Sequence, residues 1–495
     1  MEHSVPPNLS YRDLLLTIRN GLAKTRAPKH IIIVGAGMAG LVAASLLKAA
    51  GHKVTILETT ERVGGRVYTK REPFVDNLYL DVGAMRIPHN HFLVLEYIKK
   101  FGLKVDAFLN STPNDLIYAN GIKTNRRTYE QNPDILGYPV MPSEKGKTAE
   151  QLLMLAIQPI YDFIKQGAYL NWEKVVQDFS KYSMETFLRY NPVGASLSPG
   201  ALEMAKVMIG LEGFPELAFP AILRELLPMI DPDGRFYEII GGNDRLPNAF
   251  VPFIKEDIYL GQKMIKISQH NGQVTVHTIH FQSLRPLSTT GDIAIVTIPF
   301  TLLDFVDVEP QHTFSHEKYK AIRELHYVPA TKIGLQFRRR FWEDDGIQGG
   351  KLSTDLPIRF AYYPSHLIGS SGSGIILASY TWQDDTLSWD NLPEEDRIHN
   401  ALNNLATIHG DKIYKEFLVG ASHSWAEDLY TCGAAFSMYK PNQEVDLNPA
   451  IYTSEGNVHF AGEHTSQHPG WIEGAIESGI RVAHEVNHLP RTYQG

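Results

Sequence analysis

The sequence predicts an α/β fold built on a Rossmann-like parallel sheet, and three features of residues 31 to 58 predict it. Ile31-Ile32-Ile33-Val34 is a β-branched run of the kind buried on both faces of a parallel sheet, and the Ala/Leu-rich stretch Leu41 to Leu47 after it favours helix. Between them, Gly35-Ala36-Gly37-Met38-Ala39-Gly40 has the spacing G-x-G-x-x-G. Gly35 permits a tight turn, Gly37 lets backbone approach a pyrophosphate, and Gly40 lets helix pack on strand, so that the helix N-terminus at Met38 and Ala39 offers free N–H groups to phosphate. Lys53-Val54-Thr55-Ile56-Leu57 is a second strand, and it ends in Glu58, placed to accept hydrogen bonds from a ribose diol. Together these form a Rossmann-like dinucleotide site.

At 495 residues the chain is long enough for about three domains of roughly 150 residues. Its 43% hydrophobic and 21% charged residues are those of a globular protein with sizeable cores. A net charge of −8 and the lack of a long basic run exclude nucleic acid as a principal partner. Cys432 is the only cysteine, so the chain forms no internal disulfide and no thiolate metal site. The first thirty residues carry no leader pattern, and no stretch approaches a transmembrane span. A cytoplasmic protein without membrane partners is expected, with secretion after processing as the alternative.

Along the chain, a short helix opens near Ser10, carries Leu14, Leu15, Ile18 and Leu22, and stops at Gly21 and Pro28. After Glu58 comes Glu61-Arg62-Val63-Gly64-Gly65-Arg66-Val67, where paired glycines beside a fork-shaped donor suit a loop around a diphosphate. Strand, glycine loop, helix, strand, Glu and then G-G-R resembles the N-terminal signature of the flavin amine oxidase superfamily, which implies FAD as cofactor. Leu80-Asp81-Val82-Gly83-Ala84-Met85-Arg86-Ile87-Pro88 resembles the corresponding segment of L-amino acid oxidases. The resemblance puts Gly83, Ala84 and Met85 near the flavin ring and makes Arg86 the residue that holds the substrate α-carboxylate, a task a planar guanidinium performs bidentately. Gly137 to Lys147 is similar to a stretch of animal-venom L-amino acid oxidases, without chemistry of its own. From Ala149 to Arg224 helix-forming segments are interrupted at Asn191-Pro192, Ser198-Pro199-Gly200 and Phe214-Pro215, a helical insertion that by resemblance covers the site.

Glu238 to Pro247 resembles the return into the FAD domain: a strand, the Gly241-Gly242 turn, then a helix. Ile258 to Ile267 is extended, with the Met264 backbone implied to pair with adenine, and Asp292 to Ile298 is a buried strand closed by Pro299. Lys332, alone in an apolar run, matches the superfamily lysine that holds a water against flavin N5, and burial there would depress its pKa. Ile375 to Trp382 is a strand with alternating faces; Tyr380 matches the family tyrosine on the substrate carboxylate, and Trp382 shares its face. Trp425 belongs to the implied flavin contacts. In monoamine oxidases a cysteine after Tyr430 carries FAD covalently; that position is Ala434 here and Cys432 is two residues early, so non-covalent FAD is implied. Ala435 leaves room for a bulky substrate side chain. Finally Ala461-Gly462-Glu463 ends a strand, Gly470-Trp471 floors the pocket, and a helix from Trp471-Ile472 aims its positive end at the flavin. His459, His464 and His468 lack a carboxylate cluster, so no metal is expected.

The resemblance to flavin-containing L-amino acid oxidases runs over nearly the whole chain. It implies an FAD-binding domain from 28–68, 236–325 and 450–490, a mixed-sheet substrate domain from 1–27, 69–135 and 326–449, and a helical domain at 136–235. It further implies a homodimer and the oxidation of an L-amino acid to 2-oxo acid, ammonia and hydrogen peroxide with O2. Arg86 and Tyr380 clamp the carboxylate, Lys332 organises water, and Trp471 bounds the side chain. Amine oxidase, amino acid 2-monooxygenase and non-catalytic FAD-binding module are the alternatives. Ala435, Trp382 and Trp471 favour an aromatic or large aliphatic substrate, whereas Glu212 and Glu225 would suit a basic one; no residue stands out as a base for the substrate ammonium.

Overall fold

The structure is a computed structural model that describes residues 9–231 and 234–489. Its organising element is a five-stranded parallel sheet in the order Ile258–Tyr259, Lys53–Leu57, His30–Val34, Ile293–Val296, Val458–Phe460. The strands are apolar on both faces because both are covered. Ile31, Ile33, Val54, Ile56, Ile293 and Ile295 pack with the helices Met38–Ala50 and Ile472–His488. Ile32, Val34, Leu57, Ala294 and Val296 join a second core that runs on into the helical region. Helix Tyr11–Asn20 starts where expected, with Ser10 and Asp13 capping each other's backbone, and its Leu14 and Ile18 enter the first core together with Leu93 and Val94 of helix Phe92–Lys100.

Beside the parallel sheet lies a four-stranded sheet, Pro286–Gly291, Gln273–His280, Gln262–His270 and Asp307–Glu309. A mixed seven-stranded sheet runs in the order Phe417–Ser424, Ala330–Phe337, Gly374–Trp382, Phe360–Tyr362, Lys351–Thr354, Leu116–Ala119, Ile122–Asn125. Among the described residues five helices, Ala149–Gln166, Ala168–Phe179, Met184–Arg189, Pro199–Ile209 and Phe219–Ile230, form the helical region; Pro192 and Pro215 fall in its breaks, whereas Pro199 and Gly200 open a helix capped by Ser198. Among the described residues no helix is long and apolar enough to cross a membrane.

The alternation expected for Ile375 to Trp382 is broken. Ile333 faces Ser379 but Gly334 faces Leu377, so Ala378 is an extra residue, a β-bulge. Before the bulge Ile376 and Ala378 enter the core beneath the sheet; beyond it Tyr380 and Trp382 lie on the face shared by Ile375 and Leu377. Strict period-two counting would have buried Tyr380 beside Ile376; the inserted residue turns it to the other face.

Gly40 is a tight joint between the glycine loop and its helix. A Cβ there would stand 2.1 Å from the Gly35 carbonyl oxygen, an immovable backbone atom. Alanine gains about 1 kcal/mol of helix propensity over glycine, but overpacking against backbone costs about 3 kcal/mol, so the clash decides the sign. Gly40→Ala is expected to lower the thermal midpoint, measured by calorimetry.

Candidate active site

One cavity of about 450 Å³ runs from the glycine loop to the inner face of the seven-stranded sheet. At the loop, Gly35, with φ of 105°, turns the chain, and Gly37, Met38 and Ala39 open helix Met38–Ala50 onto the cavity. That helix has no side-chain cap and no acid in its first turn, so its N–H groups face the space undiluted. The Gly64-Gly65 turn docks on the loop through Gly64 N–H to the Ala36 carbonyl at 2.8 Å. Glu58 lines the same end but also braces the turn: Oε2 accepts from Ala36 N at 2.7 Å and Oε1 from Thr60 N at 2.8 Å. Met264, from strand Gln262–His270, closes this end.

In the middle, Gly83 crosses Arg66 so closely that a Cβ would lie 2.0 Å from the Arg66 carbonyl oxygen. Arg66 Nη1 donates to Glu463 Oε1 at 2.7 Å, and Glu463 Oε2 accepts from Ser437 Oγ at 2.6 Å and Gly470 N at 2.8 Å. Burial raises the Glu463 carboxyl, but Arg66 and these donors hold it below the usual carboxylate value. Gly462, Trp425, whose Nε1 donates to the Val82 carbonyl at 3.0 Å, and Ala435 complete this stretch with Ile472, where helix Ile472–His488 begins without a side-chain cap.

At the far end Arg86 Nη1 donates to Asn110 Oδ1 at 2.6 Å and Tyr362 Oη at 3.2 Å. Both partners are neutral; among the described residues no carboxylate makes an ion pair with Arg86. Tyr380 and Trp382 stand beside it with ring centroids 4.3 Å apart, and neither hydrogen-bonds Arg86. Ile222, Glu225, Leu226 and Met229, one face of helix Phe219–Ile230, form the opposite wall with Gly470 and Trp471. Lys332 does not line the cavity. It sits one layer behind, donating to the Asp81 and Gly83 carbonyls at 3.0 and 2.7 Å with the Tyr380 ring 4.4 Å away. Burial depresses it to about 7, with Asp81 opposing and Arg86 reinforcing the shift.

The family model for flavin containing amine oxidoreductases matches residues 38–487. This chain belongs to that family. "Putative L-amino-acid oxidase YobN" of Bacillus subtilis (strain 168) is 52% identical over 478 residues, covering 97% of this chain and 98% of its own. The L-amino-acid oxidase of the fish Siganus canaliculatus is 37% identical over 478 residues, covering 96% and 89%. Among solved structures, wild-type putrescine oxidase bound to putrescine and cyclohexylamine oxidase of Brevibacterium oxydans both superpose with a TM-score of 0.73 at 18% identity, over 93% of this chain and 99% of theirs, a likeness of fold.

The residues of this amine oxidoreductase fit a flavin bearing phosphates. Two uncapped helix N-termini converge on one cavity, and at Gly37 a Cβ would meet nothing within 4 Å, because the cavity lies there. Of the residues that the resemblance implies for cofactor, substrate and catalysis only Gly40 and Lys332 fall outside the lining. Glu212 is not in it either: Arg359 Nη1 holds it at 2.6 Å. His459 and His468 bond Glu485 and Glu477, and His464 is buried between Phe300 and Tyr327. Missed by the sequence were Asn110 and Tyr362, which orient Arg86, and the wall formed by Ile222, Leu226 and Met229. Nothing in the local sequence around Asn110 or Tyr362 signals that task.

Breaking the central ion pair should be costly. Glu463→Gln leaves Arg66 without its counter-charge, and removing one member of a buried pair costs about 3 kcal/mol. The expected outcome is a lower urea midpoint with weakened flavin retention, read by tryptophan fluorescence and by absorbance after gel filtration.

Proposed function

We propose that this amine oxidoreductase is an FAD-dependent L-amino acid oxidase, converting L-amino acid, O2 and water to 2-oxo acid, ammonia and hydrogen peroxide. The observation that carries the reading is Arg86: a guanidinium in the cavity wall, oriented by an amide and a phenol and without a carboxylate partner among the described residues. An unpaired charge in a low-dielectric site is costly, and a substrate carboxylate relieves that cost while fixing how Cα is presented. An amine without a carboxylate would leave Arg86 bare. The names of the two relatives above point the same way.

In this reading residues 28–68, 236–325 and 450–490 supply the FAD domain, 1–27, 69–135 and 326–449 the substrate domain, and 136–235 the helical domain. Gly35, Gly37, Met38, Ala39, Glu58, Gly65, Arg66 and Met264 hold the dinucleotide, and Gly83 to Met85, Trp425, Gly462, Glu463 and Trp471-Ile472 surround the ring. Bound there, the flavin supplies acceptance of hydride from Cα and, in turn, reduction of O2. Tyr380 joins Arg86 on the carboxylate. Lys332, with two N–H groups fixed on the Asp81 and Gly83 carbonyls, keeps its third to donate to a water. Ile222, Leu226, Met229 and Trp382 exclude water and suit a large apolar side chain. FAD is held without a covalent bond, and the enzyme works in the cytoplasm as a homodimer.

Arg86→Ala is expected to lower kcat/KM for L-amino acids by about 10²-fold or more, the scale of a lost charge-assisted pair, with flavin content unchanged. Unaltered kinetics would exclude the carboxylate clamp. Denaturation should release all the yellow colour from the polypeptide; colour retained by the chain would show a covalent link. Product identification separates 2-oxo acid from the amide a monooxygenase would give.

A further inference from the structure

Glu225 lines the cavity at the Arg86 end and has no task in the reading above. It is partly exposed, and it faces the cavity it lines. Its two oxygens each lie 2.9 Å from Trp471 Nε1, a single N–H donor, and no cation forms an ion pair with it among the described residues. Two carboxylate oxygens sharing one donor keep acceptor capacity in hand.

The charged groups around it are otherwise engaged. Arg224, on the same helix, pairs with Glu444 at 2.7 Å; Arg86 is held by Asn110 and Tyr362; Glu463 pairs with Arg66. Tyr380 feels the charges of both Arg86 and Glu225, and all three line the one cavity. Gly470 is beside it: a Cβ on that residue would stand 3.7 Å from Glu225 Oε1. A cation-accepting carboxylate and an anion-accepting guanidinium at one end of one cavity match the two charges of an α-amino acid zwitterion.

We propose that Glu225 receives the α-ammonium of the substrate and takes its proton. The inference rests on the oxidase reading. One N–H bond of the ammonium breaks and one O–H bond forms on Glu225. The nitrogen lone pair so freed enters the C=N bond as Cα gives up its hydrogen with both bonding electrons to the hydride acceptor of the oxidase reading, the flavin. Glu225 afterwards returns the proton to water. Burial pushes its carboxyl up to about 7, against the Trp471 N–H and the Arg224 and Arg86 guanidiniums, which pull it down, and with Glu463 adding to the rise. Such a group is a carboxylate above that value and a competent base there.

The test is anaerobic bleaching of the bound flavin by L-leucine and L-lysine as a function of pH, in wild type, Glu225→Gln and Glu225→Asp. In wild type the bleaching rate should climb with pH and level off once a group near 7 has titrated. Glu225→Gln should slow both substrates by about 10²-fold at neutral pH and move the climb up to the alkaline range of the free ammonium, while Glu225→Asp restores part of the rate and the lower climb. Binding of 4-methylpentanoate, which has the carboxylate but no ammonium, should be unchanged in Glu225→Gln. A Glu225→Gln profile identical to wild type, or a loss confined to L-lysine, overturns the inference and leaves the oxidase reading standing. Failure of both amino acids to bleach the wild type overturns the oxidase reading itself.

Discussion

The ion pair between Arg66 and Glu463 is the joint on which the rest of the site depends. It ties residues 397 positions apart and sets the Gly-Gly-Arg turn against the last strand of the parallel sheet. A buried pair is weak evidence for stability by itself, since desolvation consumes much of its Coulombic gain. Its value here lies in what the carboxylate does with its other lone pairs. Glu463 also receives Ser437 and Gly470, and Gly470 leads into Trp471 at the start of helix Ile472–His488. Trp471 in turn holds Glu225 across the cavity. A chain of direct contacts therefore runs from the Gly64-Gly65-Arg66 turn to helix Phe219–Ile230.

The charges around the cavity are kept apart by the elements that carry them. Arg86 is oriented by neutral groups, Glu225 by an indole N–H, and Lys332 by backbone carbonyls. None neutralises another. Low local dielectric makes each strongly responsive to a ligand's charge, and burial has moved Glu225 and Lys332 toward 7 from opposite directions. Structural ion pairs elsewhere show the contrast: Arg224 with Glu444, and Arg359 with Glu212 and Asp385, are closed on themselves.

The nucleotide half was legible because its constraints are local. Gly35, Gly37 and Gly40 act within one turn, Glu58 sits at the end of the adjacent strand, and the β-branched runs reveal burial on both faces. Arg86, Tyr380 and Trp471 were singled out through resemblance, and the structure brings all three to one cavity. Tyr362 and Asn110 escaped because their task exists only once strands Phe360–Tyr362 and Ile87–Pro88 are brought together from distant parts of the chain.

By itself the sequence determined the α/β class, the glycine loop, the helix starts and the order in which the units appear, since these follow from propensity, capping and spacing within a few residues. Tertiary structure alone decided which face Tyr380 presents, because one bulged residue at Ala378 reverses the alternation. It alone separated Glu212 from Glu225. The two acids look alike in the sequence, but the first meets Arg359 and the second meets Trp471 and the open cavity. A carboxylate's chemistry is set by the partners that reach it, and those partners come from positions the local sequence does not contain.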